Sequence, residues 1–138
     1  TVATGATVGP FAHLRPNSHL GQDVHIGNFV EVKNSTLGAG VKSGHLTYIG
    51  DADLGRDINI GCGTIFVNYD GKKKHRSTVG DQAFIGCNAN IVSPVKIGDQ
   101  TFIAAGTTVT RDVPDQALAI SRVKQDNIPN YWQKFSKK

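Results

Sequence analysis

Branched aliphatic residues recur along the chain at a spacing of six, and the next residue is most often glycine. This period matches neither the 3.6-residue period of an amphipathic helix nor the alternation of a half-buried strand. The spacing shortens to five before Leu37 and before Leu54, and it lengthens to thirteen between Phe66 and Val79. The repeating position, here named the core position, is occupied by Val2, Val8, Leu14, Leu20, Ile26, Val32, Leu37, Ser43, Ile49, Leu54, Ile60, Phe66, Val79, Ile85, Ile91, Ile97, Ile103 and Val109.

A six-residue unit suits a short strand followed by a tight corner, where glycine tolerates unusual backbone dihedral angles. Three such units would close one triangular coil, and the next coil would stack on it at about 4.8 Å, the distance between paired strands. One coil cannot bury its apolar side chains alone, so stacked coils share a continuous core. The pattern therefore predicts an all-β fold, a parallel β-helix of about six coils. The predicted coils begin at Val2, Leu20, Leu37, Leu54, Val79 and Ile97.

The long gap after Phe66 indicates a loop extruded from the coil at about residues 67–78, with the sequence NYDGKKKHR. The β-helix domain is predicted to cover residues 1–113, and residues 114–138 to form a non-repeating tail. In that tail, Tyr131, Trp132 and Phe135 indicate a short helix or a contact with a neighbour, and the tail could also cap the last coil. The chain starts inside the repeat and contains no methionine. We therefore expect it to be part of a longer protein with a further N-terminal domain.

Length and composition fit one ordinary domain, with 138 residues, 38% of them hydrophobic, and a net charge of +4. Positive charge is concentrated near the C-terminus and at residues 72–76, where no aromatic residues are interleaved. This arrangement favours a small anionic ligand or a solvated surface over a nucleic-acid partner. No apolar run approaches the ~18 residues of a membrane span, and we expect no signal peptide. Two cysteines make no disulfide framework, so the predicted location is the cytoplasm.

The core position is polar only at Ser43, and His45 follows two residues later. In the next coils the position of His45 is taken by Cys62, Cys87 and Ala105. A column of small side chains leaves a groove in which a ligand can reach backbone N–H groups. A single histidine can be an ordinary surface residue, but its place at the foot of this groove favours a catalytic role.

Arg15 and Lys33 occupy the position after the core residue, where glycine is usual, and they are eighteen residues apart. They are therefore predicted to stack on one face of the prism, although like charges on adjacent strands repel. Two interpretations remain: a clamp for a phosphate group, which would offset the repulsion, or two side chains that extend into solvent. A non-catalytic scaffold would have no use for two stacked cations without an anion.

A metal site is not expected. His13, His19 and His25 recur at a spacing of six, so they would lie on three different faces and cannot share one ion within a subunit. Cys62 and Cys87 would be close enough for a disulfide by distance, but a reducing cytosol favours free thiols.

The motifs VGPFAHLRP, GNFVEVK, GHLTYIGDA, NIGCGT, NYDGKKK, IAAGTTV and ALAISR cover nearly the whole chain up to about Arg122. In these motifs the chain resembles the left-handed β-helix acyltransferases, which are typically trimers with active sites between subunits. Within them it is similar to the acetyltransferase domains of the bifunctional bacterial enzymes that make UDP-N-acetylglucosamine. Their uridyltransferase half, with its glycine-rich nucleotide loop and Mg²⁺ requirement, has no counterpart in this sequence.

The resemblance implies acetyl transfer from acetyl-CoA to the amine of glucosamine 1-phosphate. His45 would be the general base, and Glu31 would orient it. The backbone N–H of Cys62 would donate to the oxyanion. The implied substrate-binding residues are Arg15, Lys33, Tyr48, Asn59, Asn68 and Lys74. The implied acetyl-CoA-binding residues are Cys62, Asn68, Tyr69, Cys87, Ala105 and Arg122.

Two positions depart from the family, which often has Ala at Cys62 and Ser at Cys87. A backbone donor does not depend on its side chain, but a thiol is a weak hydrogen-bond donor, which puts the coenzyme contact of Cys87 in doubt. Direct attack by the amine is predicted, and an acyl-cysteine is the mechanism to exclude. Two alternatives are kept: a hexapeptide acetyltransferase with another acceptor, and a non-catalytic β-helix that serves as an oligomerisation scaffold.

Overall fold

The computed structural model describes residues 1–136, which form a left-handed parallel β-helix and a C-terminal tail. Each turn of the helix has three short strands, so the molecule is a prism with three flat faces. Strands on one face pair in parallel with strands of the coils above and below. The predicted fold class is confirmed.

The first two faces form one sheet, because two nine-residue strands continue around the corner between them. The strands of this sheet are β1 (Thr7–Val8), β2 (His13–Leu14), β4 (His25–Lys33), β6 (Lys42–Gly50), β8 (Asn59–Ile60), β9 (Ile65–Val67), β11 (Phe84–Ile85), β12 (Asn90–Val92), β14 (Phe102–Ile103), β15 (Thr108–Val109) and β16 (Leu118–Ala119). The third face is a separate sheet of β3 (Ser18–Leu20), β5 (Ser35–Leu37), β7 (Ala52–Leu54), β10 (Ser77–Val79) and β13 (Lys96–Ile97).

The vertical register follows the sequence prediction at every coil. Leu20 pairs with Leu37, and the pairing continues through Leu54 and Val79 to Ile97. From Leu20 onward every core position is buried and points into the prism. Val2 is 52% exposed because it belongs to the first coil of the described chain.

The glycines after the core position are needed for a reason other than the predicted one. With the exception of Gly9, none of them in the described chain has a positive φ angle. A Cβ atom at Gly27 would collide with the backbone of Gly44 in the next coil, and one at Gly61 would lie 2.6 Å from the backbone nitrogen of Cys87. Glycine is therefore selected because adjacent coils approach closely at this position.

The left-handed backbone conformation instead occurs two residues further on, at the corners. There it is adopted by residues such as Asp57, Gln82 and Asn88. Asn and Asp tolerate this conformation better than most side chains. Phe29 and Leu46 also adopt it, with φ of 60° and 46°, at the corner between the first and second faces.

Coil pairing extends beyond residue 113, where the six-residue repeat predicts its end. Val113 bridges to Ile97, and β16 pairs with β14. After these strands the tail lies on the surface, and its only helix within residues 1–136 is α1 (Tyr131–Ser136). The helix was one of the predicted outcomes. Its side chains are exposed, and Trp132 stacks only against Phe135 at 5.3 Å between ring centroids. The described part of the tail therefore does not cap the coil with this helix.

Ser43 occupies a core position and is fully buried, as its neighbours in register, Ile26 and Ile60, are. Its hydroxyl has no hydrogen-bond partner among the described residues. The side chain of Ser43 points into the prism. The one polar residue at a core position therefore lies in the core next to His45. A buried hydroxyl without a partner carries a desolvation cost.

We expect Ser43→Ala to raise the free energy of unfolding by about 1 kcal/mol, because it removes this unsatisfied hydroxyl. Urea unfolding monitored by circular dichroism measures the change. Ser35→Ala is the matched control, because the Ser35 hydroxyl is also buried but donates to the Lys33 carbonyl and accepts from the Ala52 N–H. That variant is expected to lose about 1–3 kcal/mol. A loss of stability in Ser43→Ala would contradict the assignment.

Candidate active site

His45 lies at the corner between the first and second faces. It is placed there by β6, whose inward side chains Ser43 and Thr47 flank it. Asn28 is its partner in the coil below. Three residues stack above His45, because Ser43 pairs with Ile60, Ile60 with Ile85 and Ile85 with Ile103. These are Cys62, Cys87 and Ala105, so the predicted column of small residues is present.

The column above His45 presents a row of hydrogen-bond donors. The carbonyl groups of its three residues are occupied, by Asn88 N–H, Gly106 N–H and the Arg122 guanidinium. Their own backbone N–H groups donate no hydrogen bond within residues 1–136. Cys62 is partly exposed, and Cys87 and Ala105 are exposed, so these N–H groups are available to a ligand that carries carbonyl oxygens.

Both cysteines of the column are free thiols. They lie opposite each other on adjacent coils, because Gly61 donates from its backbone to the carbonyl of Ile85. Cys62 is partly exposed and Cys87 is exposed. The predicted proximity of the two residues is therefore confirmed.

The predicted stacking of Arg15 and Lys33 is also present, because Leu14 pairs with Val32. The expectation that these cations lack an anion is wrong. The Arg15 guanidinium lies 2.9 Å from a Glu31 carboxylate oxygen, and the Lys33 ammonium lies 3.4 Å from Asp51. The two cations are thus neutralised within the fold, and the pair alone does not argue against a scaffold.

Glu31 is bound to Arg15, and its partners in the sheet are His13 and Tyr48. No hydrogen bond joins Glu31 to His45 among the described residues. The predicted orienting role of Glu31 therefore has no direct contact to support it in the single chain and stays a prediction.

A polar cluster lies on the second face, near the corner with the third. The Asn68 amide donates to the Tyr48 hydroxyl at 3.1 Å and to the Asp51 carboxylate at 2.7 Å. Tyr48 can reach this position because residue 50 is glycine; a Cβ atom there would overlap the Tyr48 hydroxyl and the Asn68 amide. The cluster thus contains three of the predicted substrate-binding residues, Lys33, Tyr48 and Asn68, together with Asp51.

Asn59 lies apart from this cluster. It belongs to β8 on the first face, where its partners are Lys42 and Phe84. His45 therefore stands at a corner, with Asn59 on one face and the polar cluster on the other.

Lys74 and Tyr69 belong to the extruded loop, in which they form an antiparallel bridge. The Lys74 ammonium lies over the Tyr69 ring, 5.3 Å from its centroid. Asp70 organises the loop by accepting from the backbone N–H groups of residues 72 and 73 and from His75. These hydrogen bonds lower the pKa of Asp70 to about 2, and the one from the Lys73 N–H contributes most to the shift.

The three N-terminal histidines lie on different faces, in β2, β3 and β4. His19 and His25 contact Thr1 and Thr7 through their Nδ1 atoms. Within residues 1–136, no three His, Cys, Asp or Glu side chains come together as possible metal ligands. In the same residues no helix has the length and apolarity needed to cross a membrane.

Asp51 is the residue of this site that sequence reasoning missed. The sequence does contain a pattern that includes it: Asn or Asp recurs every seventeen residues, at Asn17, Asn34, Asp51 and Asn68. Because the coils that contain a five-residue step are seventeen residues long, these residues stack at the corner between the second and third faces. Burial raises the pKa of Asp51, but hydrogen bonds from Asn34 and Asn68 and the charge of Lys33 outweigh it, so that the pKa is lowered overall.

Comparisons with known proteins agree with this geometry. The family model of the bacterial transferase hexapeptide (six repeats) matches residues 76–111. Bifunctional protein GlmU of Caldicellulosiruptor saccharolyticus is 65% identical over 120 residues, which are 87% of this chain and 26% of that protein. Bifunctional protein GlmU of Clostridium perfringens is 58% identical over 128 residues, 93% of this chain and 28% of that protein.

The chain belongs to the hexapeptide-repeat transferases, as a domain of the GlmU type. It spans little more than a quarter of the length of the curated GlmU relatives it matches. Among solved structures it is similar to PerB from Caulobacter crescentus in complex with CoA and GDP-perosamine. That structure has a TM-score of 0.76 and 28% identity over 84% of this chain and 54% of the other. The GlmU-type domain thus shares its coil architecture with a protein solved with CoA.

Proposed function

We propose that the chain transfers the acetyl group of acetyl-CoA to the amine of glucosamine 1-phosphate, giving N-acetylglucosamine 1-phosphate. The observation that carries the proposal is the place of His45. On one side of it runs the row of free N–H donors at Cys62, Cys87 and Ala105. On the other side lies the polar cluster with Lys33 and Tyr48.

The donor row fits the coenzyme, because the pantetheine arm of CoA carries amide carbonyls that accept from backbone N–H groups. Its thioester would then lie at the foot of the column, next to His45. Arg122 closes the other end of the column through its contact with the Ala105 carbonyl, 2.9 Å away. Tyr69 and Asn68 are proposed as further coenzyme contacts from the loop.

The acceptor would enter from the second face. Its phosphate would contact Arg15, Lys33 and Lys74, because an ammonium or a guanidinium bound to one carboxylate keeps further N–H donors for a phosphate. Tyr48 and Asn68 would hold the sugar by hydrogen bonds, and Asn59 is proposed as a further sugar contact.

In the reaction, His45 takes a proton from the substrate amine as the nitrogen attacks the thioester carbonyl. An imidazole suits this transfer because a neutral ring has one nitrogen that accepts a proton. The backbone N–H of Cys62 would donate to the oxyanion of the tetrahedral intermediate. Collapse of the intermediate breaks the carbon–sulfur bond, and the coenzyme leaves as its thiol with the proton that His45 returns.

The two sides of the site lie on different faces, which supports a trimer with the active site between subunits. Phe84 stacks on Phe102 at 4.7 Å between ring centroids, and Leu118 continues this strip on the first face. All three side chains are more than 40% exposed in the single chain. An exposed apolar strip of this kind is typical of an interface. The trimer would bring Glu31 and Asn59 of different subunits near one His45.

In the longer protein, a uridyltransferase domain that requires Mg²⁺ is proposed to use the product for the next step toward UDP-N-acetylglucosamine, a precursor of cell-wall polymers. The cytoplasmic location stays a prediction.

The test of the function is release of coenzyme A from acetyl-CoA, measured by chromatography because the chain has two free thiols. Glucosamine 1-phosphate should be acetylated far faster than glucosamine or another amino sugar. A better acceptor among the other sugars would overturn the substrate assignment. No turnover with any acceptor and no heat on titration with coenzyme A would favour the scaffold.

Direct attack predicts that no acetyl group is stored on the enzyme. Incubated with acetyl-CoA and without acceptor, the chain should show no acetyl adduct at Cys62 or Cys87 by mass spectrometry under native, neutral conditions. An adduct that disappears when glucosamine 1-phosphate is added would instead establish an acyl-cysteine intermediate.

A further inference from the structure

Asp51 occupies an unusual place for a charged residue. It is only 5% exposed, and it stands at a corner with a φ of 52°. Its backbone continues the ladder between coils, because its N–H donates to the Lys33 carbonyl and its carbonyl accepts from the Ser77 N–H. A buried carboxylate is costly unless it is fully hydrogen-bonded. Its side-chain contacts therefore show what the residue does.

Both carboxylate oxygens of Asp51 are occupied. Oδ1 accepts from the Asn34 amide at 2.7 Å. Oδ2 accepts from the Asn68 amide at 2.7 Å and from the Lys33 ammonium at 3.4 Å. The carboxylate thus contacts two of the proposed substrate-binding groups directly and is itself held in place from the coil below by Asn34.

The carboxylate also determines the polarity of Asn68. A carboxylate only accepts hydrogen bonds, so the NH₂ group of the Asn68 amide must face it. The same NH₂ group donates to the Tyr48 hydroxyl. The side-chain oxygen Oδ1 of Asn68 accepts no hydrogen bond from the described residues, and it lies on the side of the amide away from Asp51 as an acceptor. Through one buried charge, the site therefore offers an ammonium, an amide acceptor and a phenolic hydroxyl in fixed positions.

We propose that Asp51 is a positioning residue of the acceptor subsite, which fixes Lys33, Asn68 and, through Asn68, the Tyr48 hydroxyl for an anionic sugar with hydroxyl and amine donors. The inference rests on the proposed function and adds to it a residue that does not touch the substrate. It explains why a carboxylate lies buried beside a cation that is meant to bind a phosphate: Lys33 is held at the corner instead of extending into solvent.

The test is Asp51→Asn in the full chain, with steady-state kinetics for both substrates. The amide introduced at position 51 carries no charge to hold the Lys33 ammonium, and it can face either end of the Asn68 amide, so the orientation of Asn68 is no longer fixed. We expect the KM for glucosamine 1-phosphate to rise about tenfold or more, which corresponds to the loss of one charge-assisted hydrogen bond. The KM for acetyl-CoA should rise less, because Asn68 is only one of the proposed coenzyme contacts and the donors of the column are backbone N–H groups.

A double variant tests whether acceptor binding depends on the orientation of the Asn68 amide or only on a buried charge in this part of the core. Asn34→Asp combined with Asp51→Asn moves the carboxylate one coil down and restores a continuous ladder, in which the position 51 amide donates to position 34 and accepts from Asn68. We expect this double variant to recover most of the KM for glucosamine 1-phosphate. Asp53→Asn is the matched control: it also removes an ion-paired carboxylate, the partner of Arg76, but on the third face. It should leave both KM values unchanged.

Several outcomes would overturn the inference. One is an unchanged or lower KM for glucosamine 1-phosphate in an active Asp51→Asn variant; another is an equal rise of both KM values, which indicates general damage. If this variant does not fold, Asn34→Ala replaces it, because it removes the hydrogen bond that holds the Asp51 carboxylate in place beside Lys33 and Asn68; an unchanged acceptor KM would again contradict the role. A wild-type chain without acetyltransferase activity would instead refute the proposed function itself.

Discussion

Replacement of His45 by alanine is expected to lower turnover by about 10²–10⁴-fold, the usual contribution of a general base. The neutral substrate amine must lose a proton as its nitrogen bonds to the thioester carbonyl carbon, and His45 is the side chain at the foot of the donor column that can accept it. The KM for acetyl-CoA should change little, because the donors along the column are backbone N–H groups. Coenzyme A release at saturating substrates measures both quantities.

His19→Ala is the control for this prediction. His19 lies on the third face, where it contacts Thr1, and no step of the proposed mechanism involves it. It should keep wild-type turnover. A wild-type rate in His45→Ala would refute the base assignment.

The fold could be predicted in detail because the six-residue repeat reports one physical requirement, an inward apolar side chain on each short strand. Counting three units per coil gave the pairing of Leu20 with Leu37 and the stacking of His45 below Cys62. The same counting placed Arg15 opposite Lys33. Register is strongly specified when one side of each strand faces a core, so these contacts follow from the sequence alone.

The hydrogen-bond partners in the site could not be predicted in the same way. Register determines which residues are neighbours on adjacent coils. It does not determine that the Lys33 side chain contacts Asp51 or that the Arg15 side chain contacts Glu31. Those choices depend on side-chain rotamers and on the competition between carboxylates for each cation. The role of the glycines was misjudged for a related reason: the close approach of Gly27 to Gly44 is a property of two stacked coils and not of one corner.

The site combines two kinds of specificity that the β-helix supplies separately. The backbone of the column gives donors whose spacing is set by the coil repeat of about 4.8 Å, and these do not depend on whether a residue is Cys or Ala. The corner with Asp51 gives side-chain groups whose orientation depends on particular residues seventeen apart. Acceptor preference should therefore be easier to change by mutation than the binding of acetyl-CoA.

Loss of the Phe66 side chain is expected to have the largest effect on stability. Phe66 is the largest fully buried residue, and it pairs with Ile91 at the point where the chain leaves the coil for the extruded loop. Phe66→Ala should lower the free energy of unfolding by about 3–5 kcal/mol, through lost burial and an unfilled cavity. Each coil contacts only its neighbours, so this defect would also weaken the coupling between the N-terminal and C-terminal coils.

Urea unfolding of Phe66→Ala, monitored by circular dichroism, should therefore show a lower midpoint and a broader transition than that of the wild type. Phe135→Ala is the control, because Phe135 is 63% exposed and contacts Trp132 in the tail helix. It should change the free energy of unfolding by no more than about 0.5 kcal/mol. Equal changes in the free energy of unfolding for the two substitutions would show that the buried Phe66 side chain does not hold the coils together. A broadened transition for Phe66→Ala alone would place the weak boundary at the extruded loop, next to the Asn68 that the acceptor subsite requires.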